Sequence, residues 1–594
     1  MTDKLTVMKV FEATADKYSD KVALRVKRGG KWKETKWNAY RDEVRTAAKA
    51  FIKLGVEPGK GVSILAFNCP QWHVADLAAI YVGARPAGIY TTNSPEQCKY
   101  VAEHSEAAVA VVENDDQLKK FLEIRDSLPD LKAIVMMYGD SSEENVYAWP
   151  EFLKLGEEVE DDALEARISA QKPDDVCTYI YTSGTTGDPK AVMISHDNIT
   201  WTAQAALESL GAQDDDQMIS YLPLSHIAEQ IVTLHGPMVA GATVSYAESI
   251  DKLGDNLREI RPTIFLGVPR VWEKIQAKIQ AAAAANPSGF QKKVGAWARK
   301  IGIKGGYADQ TGEARPLFWG LAEKLVFTKV RTRLGLDRCR IAVTSAAPIS
   351  KSTLEFFLSL GVPIMEVYGM SECTGPATTS LPTAYKTTYV GRKLDNSELK
   401  IADDGEICMR GRHVFKGYFK NEAATVEALD EDGWLHSGDI GEIDSDGYLK
   451  ITDRKKDLII TAGGENIAPQ LIEGKLKAIA WVSQAVVIGD RQKHLSALLS
   501  IDETKLDDAI KEAGSPAKTM EEASDCEKVH AWMVEQVAGI NKDLARVQTI
   551  KKIKILPVDL TIEGGELTPT MKVRRKVVNA KYQEVIEGFY GASA

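Results

Sequence analysis

Apolar positions recur at two spacings along the first 180 residues. Between residues 37 and 54 they fall three and four apart and Gly55 follows, the pattern of an amphipathic helix with a glycine stop. Residues 61–67 (Gly-Val-Ser-Ile-Leu-Ala-Phe) form a short, almost unbroken apolar run, which predicts a buried strand. A second helix is predicted over 71–82, then a Gly/Pro turn and a strand over 87–91. The alternation persists to about residue 449 and predicts α/β layering around largely parallel strands.

Between roughly 273 and 336 the rhythm becomes helical, with alanines at 281–285 and a basic stretch at 290–304. Phe290, Val294, Trp297 and Ile301 share one helical face, and Lys292, Lys293, Arg299, Lys300 and Lys304 supply charge. A helix lying on a membrane surface and a helix packed on its own domain both fit, and the second is favoured. Around 448–457 charged residues separate two apolar strands, as in a linker. A chain of 594 residues exceeds one hydrophobic core. Two domains are expected, a large α/β domain at 1–452 and a small α+β domain at 453–594.

Composition changes the picture little: 44% hydrophobic and 27% charged residues are ordinary for a globular protein. The net charge of −10 argues against nucleic acid as the main partner. Seven scattered cysteines without C-x-x-C spacing fit a reducing compartment, and with no long apolar window the expected location is cytoplasmic.

The densest chemical motif is Thr182-Ser-Gly-Thr-Thr-Gly-Asp-Pro-Lys190, directly after an apolar strand. Its glycines admit backbone N–H groups to an anion, and its hydroxyls and ammonium complete a cradle. It is not a Walker loop, because Lys190 leads into a strand and a helix begins only near Asp197. Alone, such a loop is most often a plain turn.

The run resembles the phosphate loop of the adenylate-forming superfamily, which holds acyl-CoA synthetases, luciferases and peptide-synthetase adenylation domains. Further segments match in order: Tyr221-Leu-Pro-Leu-Ser-His226, Gly267-Val-Pro-Arg-Val-Trp-Glu-Lys274, Ala346-Ala-Pro348, Glu366-Val-Tyr-Gly-Met-Ser-Glu372, Trp434-Leu-His-Ser-Gly-Asp439, Asp453-Arg-Lys-Lys-Asp457 and Gly564-Gly-Glu-Leu-Thr-Pro-Thr-Met-Lys572. The segments 195–201, 463–469 and 564–572 are most similar to bubblegum-type long-chain fatty acyl-CoA synthetases.

The resemblance implies β-sheets with packed helices, a small β-barrel-like part, and a C-terminal domain that moves as a lid. It implies ATP, coenzyme A and a fatty acid as the three reactants, with Mg2+ as cofactor. ATP would be held by Thr182, Ser183, Gly184, Thr185, Thr186, Gly187 and Lys190, by Ala346, Ala347 and Pro348, and by Glu366, Val367, Tyr368, Gly369 and Met370. Glu372 would hold the metal, Ser371 the α-phosphate, and Asp439 and Arg454 the ribose, with Tyr368 stacked on adenine. Lys572 would offset the charge of the reacting anions, and His226 would border the carboxylate. Lys456 would be the hinge, and Gly463 and Gly464 would lie beside the pantetheine arm. Ala191 and Ser345 depart from the family pattern, where glycines are usual, and add side chains near the nucleotide. Ser437 replaces a usual threonine. A carrier-protein-loading ligase, a luciferase-like oxygenase and a non-catalytic nucleotide-binding protein are the alternatives.

Overall fold

The computed structural model describes residues 3–182, 188–285, 289–462, 465–568 and 572–590. The helix expected at 37–54 is Trp37–Lys53, and its buried side chains include Trp37, Tyr40, Val44, Ala47, Ala48 and Phe51. Gly55 follows at φ 75°, a left-handed conformation that favours glycine. Phe51 meets Phe152 of a neighbouring helix at a ring separation of 5.0 Å. The run at 61–67 forms the strand Gly61–Leu65, buried throughout, and the strand expected at 87–91 spans Arg85–Ile89.

These strands lie centrally in a seven-stranded sheet. Its order is Val146–Ala148, Ala133–Met136, Ala107–Val112, Gly61–Leu65, Arg85–Ile89, Val176–Thr182 and Lys190–Ser195. All neighbours are parallel except the last pair. A five-stranded sheet begins with the parallel strands Ile264–Leu266, Ile341–Thr344 and Ile364–Met370 and continues antiparallel through Gly375–Thr379. The part expected to be barrel-like is a meander of four antiparallel strands, Glu398–Ile401, Glu406–Arg410, Leu435–Ile443 and Leu449–Arg454.

The helical region comprises Pro269–Ala285, Gly289–Thr311 and a third helix made of the segments Trp319–Ala322, Glu323–Phe327 and Thr328–Leu334. On the basic helix, Trp297 and Ile301, like Trp319, pack against a buried cluster that contains Ala322 and Phe327. Its Gly302 touches the Ser359 backbone, where a Cβ would come within 2.1 Å of the carbonyl oxygen. At these positions the helix packs on its own domain. The Phe290 side chain lies outside the described residues.

The large N-terminal domain is followed by a separate α+β domain built on Val482–Ile488, Leu495–Ile501 and Ile550–Ile555. Its apolar clusters contain no residue before Ile459, and the main N-terminal cluster ends at Ile451. Among the described residues no helix is long and apolar enough to cross a membrane.

Candidate active site

A cavity of about 1390 Å³ opens where strand ends of the two large sheets face the meander and the C-terminal domain. Carboxyl ends of parallel strands are the usual ligand position in α/β folds, because helix and loop starts converge there. One end is polar and is walled by Thr182, Lys190, Ser371, Glu372, Asp439, Arg454 and Lys572. The other is an apolar arm between Leu207, Leu210, Met218, Ile231, Leu266 and Val343.

Local sequence explains how the arm is framed. Ser195 caps the helix His196–Leu210 in a reciprocal box with Asn198, and Gly211 ends it at φ 68°. That helix therefore stops with Leu207 and Leu210 at the cavity wall. The facing wall is the π-turn Gln230–His235, which carries Ile231 and Val232.

The polar end is a connected network. Tyr418 donates its hydroxyl to Glu372 Oε1 at 2.7 Å, and Lys190 Nζ stands 4.7 Å from the centre of the same ring. Burial lifts the Glu372 carboxyl above its usual range, while Tyr418, Lys190 and Arg454 pull it back. Asp439 and Arg454 are cross-strand partners in the meander, with Arg454 Nε 3.3 Å from Asp439 Oδ1. Tyr368 donates its hydroxyl to Asp439 Oδ2 at 2.8 Å, which fixes the ring as a wall of the cavity. Glu366 is pushed up to about 8 by burial, although the Thr388 N–H donates to it at 2.8 Å.

His226 and Lys572 stand where the two ends meet. The Ala228 N–H donates to His226 Nδ1 at 3.1 Å, so the neutral ring carries its proton on Nε2. Burial, and then the nearby Lys572 cation, hold His226 down to about 4. The ring is thus a neutral donor at physiological pH. Lys572 is pushed down to about 8 by burial and by Arg454, against the pull of Asp439 and Glu372. Its ammonium is half lost near pH 8 in the free protein. We therefore expect kcat/KM for ATP in pyrophosphate exchange to fall as pH rises through about 8. Lys572→Arg, which keeps its charge, should flatten that limb. A limb that persists in the arginine variant would belong to another group, Glu366 first.

Thr182, Lys190, Ala346, Ala347, Pro348, the run 366–372, Asp439, Arg454, Lys456, His226 and Lys572 all line this one cavity. Ala346 adopts φ 74°, unusual for a residue with a Cβ. Gly369 serves a close backbone approach, since a Cβ there would lie 1.7 Å from the Gly375 carbonyl oxygen. Lys456 is 79% exposed and 3.5 Å from Glu427. Ser183, Gly184, Thr185, Thr186, Gly187, Gly463 and Gly464 lie outside the described residues. Ala191 is buried in the cluster with Tyr179 and Tyr181 and is not part of the cavity wall. Ser345 lines the cavity but turns its hydroxyl onto the Val367 carbonyl at 3.0 Å.

Two groups were not singled out from sequence. Tyr418 lies in Lys416-Gly-Tyr-Phe419, a stretch without periodicity or motif spacing. Glu406 accepts the Gly438 N–H at 2.8 Å and meets His436 Nδ1 and Lys455 Nζ at 3.1 Å each. It brackets the turn that presents Asp439. Cys408 and His436 bring further ligand-type atoms within 4.8 Å of it. Burial pushes the Cys408 thiol up to about 11, and Lys455 already neutralises Glu406, so the trio is read as a hydrogen-bonded bracket.

Comparison with known proteins bears on the family of the chain. The model of the AMP-binding enzyme family matches residues 11–419, and that of the AMP-binding enzyme C-terminal domain matches 456–594. The long-chain-fatty-acid–CoA ligase ACSBG2 of Xenopus laevis is 45% identical over 619 residues, covering 99% of this chain and 84% of its own length. The human ACSBG2 is 39% identical over 616 residues, covering 99% and 92%. An adenylation domain of a carboxylate reductase from Mycobacterium chelonae superposes with a TM-score of 0.78 at 20% identity, covering 99% of this chain and 91% of that one. The anthranilate CoA ligase AuaEII in complex with anthranoyl-AMP gives 0.74 at 18% identity, covering 98% of both chains. The last two likenesses speak to the fold alone. Matches to both domains, and relatives of bubblegum type aligned along almost its full length, make this chain a member of the AMP-binding, adenylate-forming enzyme family.

Proposed function

We propose that this chain is a long-chain fatty acid–CoA ligase that converts ATP, a fatty acid and CoA into acyl-CoA, AMP and pyrophosphate. The observation that carries this reading is the single cavity, in which a cationic, hydroxyl-bearing end opens into an apolar arm. In the first step a carboxylate oxygen attacks the α-phosphorus and pyrophosphate leaves. In the second the CoA thiolate attacks the acyl carbonyl and AMP leaves.

Both partners of the first step are anions, so the residues must offset repulsion. Lys190 and Lys572 supply positive charge from the two domains, and Ser371 donates to the α-phosphate. Asp439 accepts from the ribose hydroxyls beside Arg454, and Tyr368 offers its ring face to adenine. His226 donates from Nε2 to the fatty carboxylate and orients it. Glu372 fits Mg2+, because it is a hard carboxylate donor among groups suited to phosphate. When bound, the metal would neutralise phosphate charge beside Glu372.

The domains are proposed to divide at 452/453, with Lys456 as the hinge. The separation of apolar clusters and the exposure of Lys456 support this. Rotation there would withdraw Lys572 and, following the family resemblance, bring Gly463 and Gly464 toward the pantetheine arm. Seven free cysteines support a cytoplasmic location.

The test is CoA-dependent AMP release across carboxylates from acetate to very long chains. Each buried methylene contributes about 0.8 kcal/mol, so kcat/KM should rise about fourfold per carbon until the arm is full. Leu207→Trp should cut long-chain kcat/KM by at least about tenfold and spare short acids. A preference for acetate, or AMP release that ignores CoA and requires a carrier protein, would overturn the reading.

A further inference from the structure

Twelve large hydrophobic side chains are exposed among the described residues, and four of them fall within nine positions. They are Leu317 (91% exposed), Phe318 (53%), Leu321 (49%) and Leu325 (43%). Phe318, which immediately precedes the helix ending at Leu334, and Leu321 and Leu325 within it are three and four residues apart and so project to one side. Loose packing does not explain this exposure. The opposite face is anchored by Ala322 and Phe327, both fully buried, and Trp319 lies against Gly305 of the basic helix.

Charge distinguishes the region further. Residues 289–334 hold ten Lys or Arg against three Asp or Glu, in a chain of net charge −10. Arg315 pairs with Asp309 and Arg331 with Glu323. The surplus sits on exposed side chains that include Lys324 and Lys329 beside the apolar face and Lys300 and Lys304 on the helix that supports it. A symmetric dimer through this face would press two positive surfaces together. An anionic lipid surface satisfies both properties at once, with apolar tips entering the interface and nearby cations drawn to the headgroups. The location also suits the substrate. Tyr307, on the supporting helix, packs into the apolar cluster that contains the arm residues Met218, Leu266 and Val343.

We propose that Leu317, Phe318, Leu321 and Leu325, with Lys324 and Lys329, dock the enzyme on an anionic bilayer from which the fatty acid is drawn. Only the purpose of docking rests on the proposed activity, and docking is measured without turnover. The full chain is floated with vesicles of phosphatidylcholine alone or mixed with phosphatidylserine, at low and high salt. Binding should be at least about tenfold stronger to the mixed vesicles and should weaken with salt. Leu317→Ser/Phe318→Ser/Leu321→Ser should weaken it at least about tenfold with Tm and octanoate activation unchanged. Lys324→Glu/Lys329→Glu should remove the preference for phosphatidylserine. Equal binding to both vesicles, no binding, or a concentration-dependent dimer abolished by the serine substitutions would overturn the proposal.

Discussion

Lys572→Ala is expected to lower ATP–pyrophosphate exchange by about 10²–10³-fold while leaving acyl transfer from supplied acyl-AMP to CoA nearly unchanged. The asymmetry follows from position. Lys572 comes from the C-terminal domain, yet it stands within the electrostatic reach of Glu372, Asp439 and Arg454 at the polar end of the cavity. A cation about 4 Å from a departing phosphate oxygen is worth at most about 4 kcal/mol in such surroundings, which sets the scale of the loss. AMP also leaves as an anion in the second half-reaction, but by then the proposed rotation would have withdrawn Lys572 from the site. Arginine should restore part of the exchange, because it keeps the charge but not the compact shape of the ammonium. Equal loss of both half-reactions would remove Lys572 from the adenylation step.

Glu372→Gln should lower exchange at least about 10²-fold and raise the Mg2+ concentration needed for half-maximal rate by about tenfold or more. Glutamine has the same shape and still accepts the Tyr418 hydroxyl, so thermal stability should change little. Tyr418→Phe is the control. It removes one hydrogen bond worth about 0.5–1.5 kcal/mol and leaves the carboxylate in place, so its loss should be about tenfold or less with the Mg2+ dependence intact. An unchanged Mg2+ requirement in Glu372→Gln would show that this carboxylate does not ligate the metal.

What was legible in the sequence tracks the range of the forces involved. The helix Trp37–Lys53 and the strand Gly61–Leu65 follow from spacing, because burial on one face or on both leaves a local periodic trace. The motif residues were legible through resemblance, and the cavity brings together those that are described. Partnerships across the fold left no such trace. Nothing local in 416–419 points to Glu372, 46 residues before Tyr418. The basic helix shows the same limit. Its apolar face was evident, but the surface covering Trp297 and Ile301 belongs to a helix that begins at residue 319. The concern over Ala191 was likewise one of direction, since its methyl group faces the core.

The pairing of Asp439 with Arg454 joins the two proposed ribose contacts, and Arg454 immediately precedes the turn Lys455–Asp457, where the proposed pivot lies. Grip on the nucleotide and freedom of the pivot would thereby be geared to one another. A bound ribose would steady the strand end from which the lid is proposed to swing, and its departure would slacken that end. The departing nucleotide would then also be what resets the machine for the next turnover.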